Sequence, residues 1–237
     1  MQIKGILFDK DGTLVDFFGT WVPAYRAAVD LAEQATGIPG LADRLLRLGG
    51  YDPETGALDP ESLLAGGTTS DICDLWTREA GVADADALGQ RLHEAMDDYA
   101  SRFPVPVGEG LDELFRRLGA RGLALGIATM DSEIVARATA NTLALTDKLD
   151  FLCGYNSGHG AKPSPGMVMG FCAATGLAPR DVLVIGDTDR DMKMARAAGA
   201  GLAVGVLTGA TPRAGLAAIA DRVIDDVFGL EALLDGM

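Results

Sequence analysis

The sequence has few of the side chains that bind transition metals or form disulfides. Its 237 residues include only two histidines, His93 and His159, and three cysteines. The motifs HExxH and CxxC do not occur, so we exclude a zinc site and a histidine-dependent catalytic triad. We expect Cys73, Cys153 and Cys172 to be reduced and mostly buried. Carboxylates must therefore carry most of any chemistry.

Basic residues are scarce relative to acidic ones. The chain has 20 Lys and Arg against 34 Asp and Glu, which gives a formal net charge of −14 at pH 7. A strongly acidic chain repels phosphate backbones and anionic lipids, so we expect no nucleic-acid partner and no membrane partner. Most of the acidic excess is interpreted as a solvated surface that aids solubility.

Long apolar runs are also missing. No uninterrupted apolar stretch approaches the ~20 residues that cross a bilayer, and the start MQIKGILFDKDG lacks the apolar core and cleavage site of a signal peptide. We therefore expect a cytoplasmic protein, as a monomer or a homodimer. Apolar residues make up 48% and charged residues 23%, which is typical of globular proteins and excludes wholesale disorder.

Six short apolar runs predict the strands of a sheet. They cover residues 3–8, 123–129, 151–154, 181–187, 201–207 and 222–226. From about residue 105 onward helical patterns alternate with these runs, as in the apolar stripe formed by residues 111, 114, 115 and 118. Repeated strand–helix units require a parallel sheet with helices on both faces. The sequence therefore predicts an α/β fold, a three-layer doubly wound parallel sheet.

Two proline-containing steps predict where helices begin. Ser164 is expected to be the N-cap and Pro165 the first residue of a helix that runs towards Gly176. Thr211 and Pro212 are expected to start another helix, between the fifth and sixth strands.

Residues 17–103 show a different pattern, which predicts a mostly helical insertion between the first two strands. Its middle, residues 49–62, is rich in turn-forming residues and is predicted to be a loop or a short hairpin. Trp21, Tyr25 and Trp76 could form either the core of this insertion or a substrate platform, and we favour the core.

Charged and hydroxyl side chains follow four of the predicted strands, at the edge where parallel α/β sheets bind ligands. These residues are Asp9 and Asp11 after the first strand, Thr129 after the second, Lys162 after the third, and Asp187, Asp189 and Asp191 after the fourth. Strand alternation predicts Asp9 and Asp11 on one side and Lys10, in a structural role, on the other. So many carboxylates need a counter-cation, and Mg²⁺ suits oxygen ligands best.

Each of these residues alone has an ordinary structural interpretation. An aspartate three or four residues after a strand can cap the helix that follows, as Asp191 could. A strand-ending threonine such as Thr129 is often a turn residue, and a single lysine such as Lys162 is often solvated. Their occurrence together at one edge of one sheet favours a functional site.

Four motifs resemble those of the haloacid dehalogenase (HAD) superfamily, most closely its phosphoglycolate phosphatase-like branch. They are DKDGTL at 9–14, the strand-ending Thr129, Lys162 within AKPSPGM, and GDTDRDMKMARAAG at 186–199. The resemblance implies a Rossmann-like catalytic core formed by residues 1–16 and 104–237. It also implies that residues 17–103 are a helical cap domain, which closes over a small phosphorylated substrate.

The resemblance also implies catalytic roles. Asp9 is the nucleophile that forms an aspartyl-phosphate, and Asp11 protonates the leaving oxygen and then deprotonates water. Contacts to the phosphoryl group come from Thr129 and Lys162, and from backbone N–H groups around Asp11, Gly12 and Met130.

The Mg²⁺ ligands implied by the resemblance are carboxylates at the first and fourth strand ends. Asp9 and Asp187 bind through their side chains and Asp11 through its backbone carbonyl, with Asp191 bound to the metal or next to its ligands.

Other activities of the superfamily fit less well. Asp11 together with Asp187 disfavours dehalogenation, which needs neither a second aspartate nor a metal, and phosphonate-cleaving relatives have a small residue in place of Asp11. A sugar-phosphate mutase uses the same chemistry and stays an alternative, ahead of a non-enzymatic phosphate-sensing domain. Many phosphatases of this group have Asn after the strand-ending Thr, whereas this chain has Met130 and Asp131, a change that affects substrate orientation only.

Overall fold

The computed structural model describes residues 3–237, and the chain forms two compact units. The first unit comprises Met1–Phe17 and Pro104–Met237, and the second comprises Phe18–Phe103. The second unit is thus inserted in the sequence of the first. Its function as a cap stays a prediction.

The first unit is built on a six-stranded sheet in which all neighbouring strands are parallel. The strands are β1 (Gly5–Phe8), β2 (Ala124–Ala128), β3 (Phe151–Cys153), β4 (Val182–Gly186), β5 (Leu202–Val206) and β6 (Arg222–Ile224). Their order across the sheet is β3-β2-β1-β4-β5-β6. All six predicted strands are present. β1 lies near the centre of the sheet, with β2 on one side and β4 on the other.

Eleven α-helices are present among residues 3–237. The second unit contains α2 (Leu41–Gly49), α3 (Leu63–Gly66), α4 (Thr69–Ala80), α5 (Ala85–Arg102) and all but the first residue of α1 (Phe17–Thr36). The first unit contains α6 (Leu111–Ala120), α7 (Glu133–Thr142), α8 (Gly166–Thr175), α9 (Asp189–Ala198), α10 (Arg213–Ala217) and α11 (Leu230–Asp235). Short 3-10 turns cover Thr146–Lys148, Pro179–Asp181 and Val227–Gly229.

Helices cover both faces of the sheet. Alternate residues of β1 enter different cores: Ile6 and Phe8 pack with apolar residues of α6 and α11, whereas Leu7 packs with residues of α8, α9 and α10. Every residue of β1 and β4 is buried, as expected for strands covered on both faces. The predicted three-layer α/β fold is therefore confirmed.

The predicted start of α8 is wrong in detail. Helical hydrogen bonding begins at Gly166, Pro165 is the N-cap, and Ser164 provides no capping contact. Pro165 already has helical backbone angles, φ −71° and ψ −7°, but the regular helix begins one residue later than expected. The helix that follows Thr211 likewise begins at Arg213, after Pro212.

The aromatic side chains of the second unit form part of its core. Trp76 is fully buried and donates a hydrogen bond from its indole nitrogen to the carbonyl of Leu45, 2.9 Å away. The hydroxyl of Tyr25 donates to the carbonyl of Leu64, also at 2.9 Å, and its ring contacts that of Trp76 edge to face. These contacts confirm the core interpretation. Within residues 49–62, Tyr51 forms an antiparallel bridge with Leu58, as in a short hairpin.

Cys73, Cys153 and Cys172 are free and buried, as expected. From residue 3 to the end of the chain, no helix combines the length and apolar character that a bilayer crossing requires.

Candidate active site

The central strands bring the predicted site residues to one edge of the sheet. β1 ends at Phe8 and β4 at Gly186, and Phe8 pairs in register with Ile185. The backbone N–H of Asp9 donates to the carbonyl of Ile185, 2.8 Å away. Asp9 and Asp187 therefore leave neighbouring strands side by side, as the parallel topology requires.

Three buried carboxylates form a cluster at this edge. Oxygens of Asp9, Asp187 and Asp191 lie within 4.8 Å of one another, and all three side chains are buried. Oδ2 of Asp9 is buried and has no hydrogen-bond partner among the described residues. An unpartnered buried carboxylate oxygen beside two more carboxylates fits the oxygen ligands of a hard divalent cation. The side chain of Asp11 does not belong to this cluster.

Burial and mutual repulsion make the charged forms of this cluster unfavourable. Burial raises the pKa of Asp9 to about 7, with a further increase from the charges of Asp191 and Asp11 and an opposing effect from Lys162. Burial, followed by repulsion from Asp9 and Asp191, raises the pKa of Asp187 well above its usual range. A bound cation would favour the ionised forms of both groups.

Lys162 places a positive charge on the cluster from the loop between β3 and α8. Its ammonium nitrogen Nζ lies 2.5 Å from Oδ1 of Asp9 and 2.6 Å from Oδ1 of Asp191. Burial alone would lower the pKa of Lys162, but the charges of Asp191 and Asp9 outweigh it and raise that pKa. The two carboxylates therefore favour the ammonium form of Lys162 beside Asp9.

Asp191 both caps a helix and contacts the acidic cluster. Its Oδ2 accepts hydrogen bonds from the backbone N–H and the hydroxyl of Thr188, at 3.1 and 2.6 Å, at the start of α9. Its Oδ1 accepts from Lys162. Because both oxygens have partners, the geometry favours a role in orienting Lys162 next to the predicted metal ligands. A side chain at Gly186 would collide with Asp191, since an added Cβ would lie 2.3 Å from its Cγ.

Lys10 does not point away from Asp11, contrary to our expectation. Its buried ammonium lies 2.6 Å from Oδ1 of Asp11 and 2.7 Å from Oδ2 of Asp131. Strand alternation fails here because β1 ends at Phe8, so residue 10 is already in a turn. Burial opposes the charge of Lys10, but Asp11 and Asp131 outweigh that effect and raise its pKa above the usual value. Asp131 is a buried residue whose contact with Lys10 the sequence analysis missed.

Thr129 lies next to Asp11, as predicted from its position after β2. Its hydroxyl oxygen is 3.5 Å from Oδ2 of Asp11 and accepts a hydrogen bond from the backbone N–H of Asp131 at 3.1 Å. Met130 lies between Thr129 and Asp131 in the chain and is partly exposed. Binding of a phosphoryl group by Thr129 and Met130 stays a prediction.

Gly12 allows the turn after β1 to approach Asp187. Its φ is +80°, a conformation that favours glycine, and an added Cβ would lie 2.5 Å from Oδ2 of Asp187. The loop after β5 closes the other side: the backbone N–H of Ala210 donates to that oxygen at 3.0 Å, and the hydroxyl of Thr208 donates to the carbonyl of Gly12 at 2.6 Å. A Cβ at Gly209 would also overlap Asp187.

This loop was not predicted from the sequence, although the rule that located the other site residues applies to it. β5 lies beside β4 in a parallel sheet, so the residues after β5 reach the same edge as Asp187. The sequence signal for this loop is the change from the apolar residues of β5 to Thr208 and Gly209.

Comparison with known proteins agrees with the fold and the motifs. The sequence model of the haloacid dehalogenase-like hydrolases matches residues 3–199. A phosphoglycolate phosphatase from Chromobacterium violaceum is 31% identical over 215 residues, which cover 86% of each chain. An N-acetylmuramic acid 6-phosphate phosphatase from Pseudomonas aeruginosa is 24% identical, with 84% of this chain and 80% of that protein covered.

A solved structure shows the same fold at lower sequence identity. The crystal structure of a predicted phosphoglycolate phosphatase from Haemophilus somnus superposes with a TM-score of 0.74 at 20% identity and covers 98% of both chains. The chain belongs to the family of haloacid dehalogenase-like hydrolases. The family predicted from the four motifs is therefore confirmed, and with it the prediction of an enzyme.

Proposed function

We propose that this protein is a Mg²⁺-dependent phosphomonoester hydrolase that acts on a small phosphorylated metabolite through an aspartyl-phosphate at Asp9. The main support is the environment of Asp9, which combines a buried unpartnered oxygen with an ammonium on the other oxygen. Two relatives named for phosphatase activity, on phosphoglycolate and on N-acetylmuramic acid 6-phosphate, support a phosphorylated small molecule as the substrate.

The charge balance of the site favours a divalent cation. Five buried or partly buried carboxylates, those of Asp9, Asp11, Asp131, Asp187 and Asp191, face the two ammonium groups of Lys10 and Lys162. If all are ionised, three negative charges are in excess in a region of low dielectric constant, which is strongly unfavourable. Asp9 and Asp187 would hold the cation through their carboxylates and Asp11 through its carbonyl. When bound, the cation supplies positive charge to the carboxylates and to the phosphoryl oxygens.

In the first step, a carboxylate oxygen of Asp9 attacks the phosphorus atom. A new P–O bond to Asp9 forms while the bond to the ester oxygen breaks, and the electron pair of that bond goes to the leaving oxygen. Asp11 gives its proton to this oxygen, so an alcohol leaves. Lys162 and Thr129 hold the phosphoryl oxygens and offset the charge that develops on them.

In the second step, water releases the phosphate. Asp11, now ionised, accepts a proton from the water as its oxygen attacks phosphorus. The P–O bond to Asp9 breaks, so inorganic phosphate leaves, Asp9 is again a carboxylate and Asp11 is again protonated. Each group returns to its starting state, as a catalytic cycle requires.

We also propose that residues 17–103 act as a cap that selects small substrates and excludes water during the first step. Their compact organisation as a separate unit, Phe18–Phe103, supports this assignment. The cytoplasmic location and the monomeric or dimeric state stay predictions.

A substrate screen tests the proposal and distinguishes it from the mutase alternative. The purified protein is incubated with 2-phosphoglycolate, N-acetylmuramic acid 6-phosphate and several sugar 1-phosphates, with Mg²⁺ or with EDTA. We expect Mg²⁺-dependent release of inorganic phosphate from at least one ester. Conversion of a sugar 1-phosphate to its 6-phosphate without phosphate release would instead establish a mutase.

A further inference from the structure

The side chain of Asp11 is not oriented by the sheet. β1 ends at Phe8, and residues 10–15 form a tight turn in which the N–H groups of Leu14 and Val15 both donate to the carbonyl of Lys10, at 2.8 and 2.9 Å. A group that must deliver a proton to a defined oxygen needs a fixed position. Some other contact must therefore fix the carboxyl group of Asp11.

Lys10 supplies this contact from an otherwise costly position. Its side chain is only 1% exposed, and burying an ammonium is unfavourable unless it is paired. An apolar side chain would fill the same space without that cost, but it could not donate a hydrogen bond to a carboxylate oxygen of Asp11. The contact from Lys10 is to Oδ1, at 2.6 Å, whereas Oδ2 of Asp11 lies 3.5 Å from the Thr129 hydroxyl, longer than a typical O–H···O hydrogen bond.

Asp131 holds Lys10 from a rigid turn. Its backbone N–H donates to the hydroxyl of Thr129 at 3.1 Å, and its carbonyl accepts from the N–H of Tyr155 at 2.9 Å. Gly154 packs directly against this turn, since an added Cβ there would lie 2.3 Å from the carbonyl oxygen of Asp131. The carboxylate of Asp131, which forms an ion pair with Lys10 at 2.7 Å, therefore extends from a turn whose backbone is held on both sides.

We propose that Lys10 and Asp131 are positioning residues for the reaction: Asp131 anchors the ammonium of Lys10, which holds Oδ1 of Asp11 so that Oδ2 carries the proton to the leaving oxygen. This inference rests on the proposed phosphatase function. Neither residue touches the phosphoryl group, and both act through Asp11.

The proposal makes the effect of each variant depend on the leaving group. The alkoxide of 2-phosphoglycolate is a poor leaving group and needs the proton from Asp11, whereas p-nitrophenolate leaves readily without one. The ratio kcat/KM reports phosphoryl transfer to Asp9 and is insensitive to the later hydrolysis. A substitution that misplaces Asp11 should therefore lower kcat/KM for the alkyl ester much more than for the aryl ester.

The experiment measures kcat/KM of wild type, Lys10→Met and Asp131→Asn on both esters with saturating Mg²⁺. If wild type does not hydrolyse 2-phosphoglycolate, the best alkyl ester from the screen takes its place. We expect a fall of about 10²-fold on the alkyl ester and of less than about threefold on p-nitrophenyl phosphate. The double variant should lose no more than the worse single variant, because both residues act through one contact.

A matched control removes a different ion pair of the same unit. Glu231 accepts a hydrogen bond from Arg117 at 2.8 Å and is remote in sequence from every site residue. Glu231→Gln should therefore leave kcat/KM unchanged on both the alkyl and the aryl ester. Thermal unfolding of each variant shows whether it folds. Asp131→Asn preserves the shape of the side chain and tests the proposal even if Lys10→Met does not fold.

The outcomes separate this inference from the proposed function. Equal losses on the two esters, or no loss on either, in an active and folded protein would overturn the positioning role alone. A wild-type protein that hydrolyses no phosphate ester would overturn the proposed function, and this inference with it.

Discussion

Lys162 lies against Asp9 although 153 positions separate them in sequence, with its ammonium nitrogen 2.5 Å from Oδ1 of the carboxylate. The same ammonium contacts Asp191 at 2.6 Å, so its position is fixed from two sides. The contact engages one oxygen of Asp9 and leaves Oδ2 without a hydrogen-bond partner among residues 3–237. The proposed nucleophile and a cation are thus arranged before any substrate arrives, which would reduce the reorganisation that the proposed reaction requires.

Replacing Asp9 tests whether this carboxylate is the nucleophile. Asp9→Asn keeps the size of the side chain but removes the charged oxygen that attacks phosphorus, so we predict a loss of kcat on p-nitrophenyl phosphate of at least ~10³-fold. The matched control is Asp189→Asn. Asp189 lies on the first turn of α9, and its exposed carboxylate pairs with Lys193. We expect nearly wild-type activity from the control. Full activity of Asp9→Asn would contradict the assignment.

Removal of divalent cations should abolish activity and lower stability. The cluster of Asp9, Asp187 and Asp191 would then keep its mutual repulsion. Mg²⁺ at about 100 times its dissociation constant should raise the unfolding free energy by about 2.7 kcal/mol, which corresponds to roughly 5–10 °C in Tm. Differential scanning fluorimetry with EDTA, Mg²⁺ and Ca²⁺ measures the shift in Tm. An activity assay shows whether Mg²⁺ restores the activity that EDTA removes.

The variant Asp187→Asn provides the comparison for the metal experiment. It removes one predicted ligand while Asp9 and Lys162 stay in place, so the Mg²⁺-dependent rise in Tm should shrink or vanish. A Tm rise of wild-type size in Asp187→Asn would show that the cation binds elsewhere.

The positions of the strands could be predicted because each one is a short apolar run that ends in turn-forming or polar residues. The same rule located Asp9, Thr129, Lys162 and Asp187, since ligands of such sheets bind where parallel strands end. The contacts of Lys10 could not be predicted in this way. They depend on the conformation of the turn after Phe8. The sequence shows that the apolar run ends at residue 8, but it does not show where the turn directs the side chains of Lys10 and Asp11.

The contacts of the loop after β5, unlike its place at the sheet edge, illustrate a second kind of information that the sequence lacks. The N–H of Ala210 contacts Asp187 through backbone atoms, which every residue possesses, so no residue type marks it. The close approach of Gly12 and Gly209 to the same carboxylate depends on the distance between two loops. That distance is set by packing of the whole sheet edge and not by either loop alone.

Glycine at position 12 should be required for metal binding more than for folding. Gly12→Ala places a Cβ 2.5 Å from Oδ2 of Asp187, which must displace that carboxylate. We predict that the Mg²⁺ concentration for half-maximal activity rises at least about tenfold, as for other residues that support metal ligands. Gly110 has the same φ of +80° but no atom within 4 Å of an added Cβ.

Gly110→Ala is therefore a control for backbone strain. Both substitutions force a left-handed conformation on alanine, which should cost about 1–2 kcal/mol of stability. Gly12→Ala should cost more than Gly110→Ala, because its Cβ would also lie 2.9 Å from the backbone of Gly209. Only Gly12→Ala should change the Mg²⁺ dependence. Equal Mg²⁺ requirements in the two variants would show that the approach of Gly12 to Asp187 is unimportant.

The buried carboxylates should make the EDTA-treated protein less stable as the pH rises. The pKa of Asp9 is raised from its usual 3.8 to about 7 in the folded protein, so between these values the folded state holds a proton that the unfolded state has released. The free energy of unfolding therefore falls across this window, by on the order of 1 kcal/mol per pH unit from Asp9. Asp9→Asn cannot ionise, so urea unfolding in EDTA should show the variant gaining stability over wild type from pH 4.5 to 7.5. A difference in unfolding free energy between the two proteins that does not change with pH would contradict this prediction. Saturating Mg²⁺ favours the ionised carboxylate, so it should remove the fall in the unfolding free energy of the wild type.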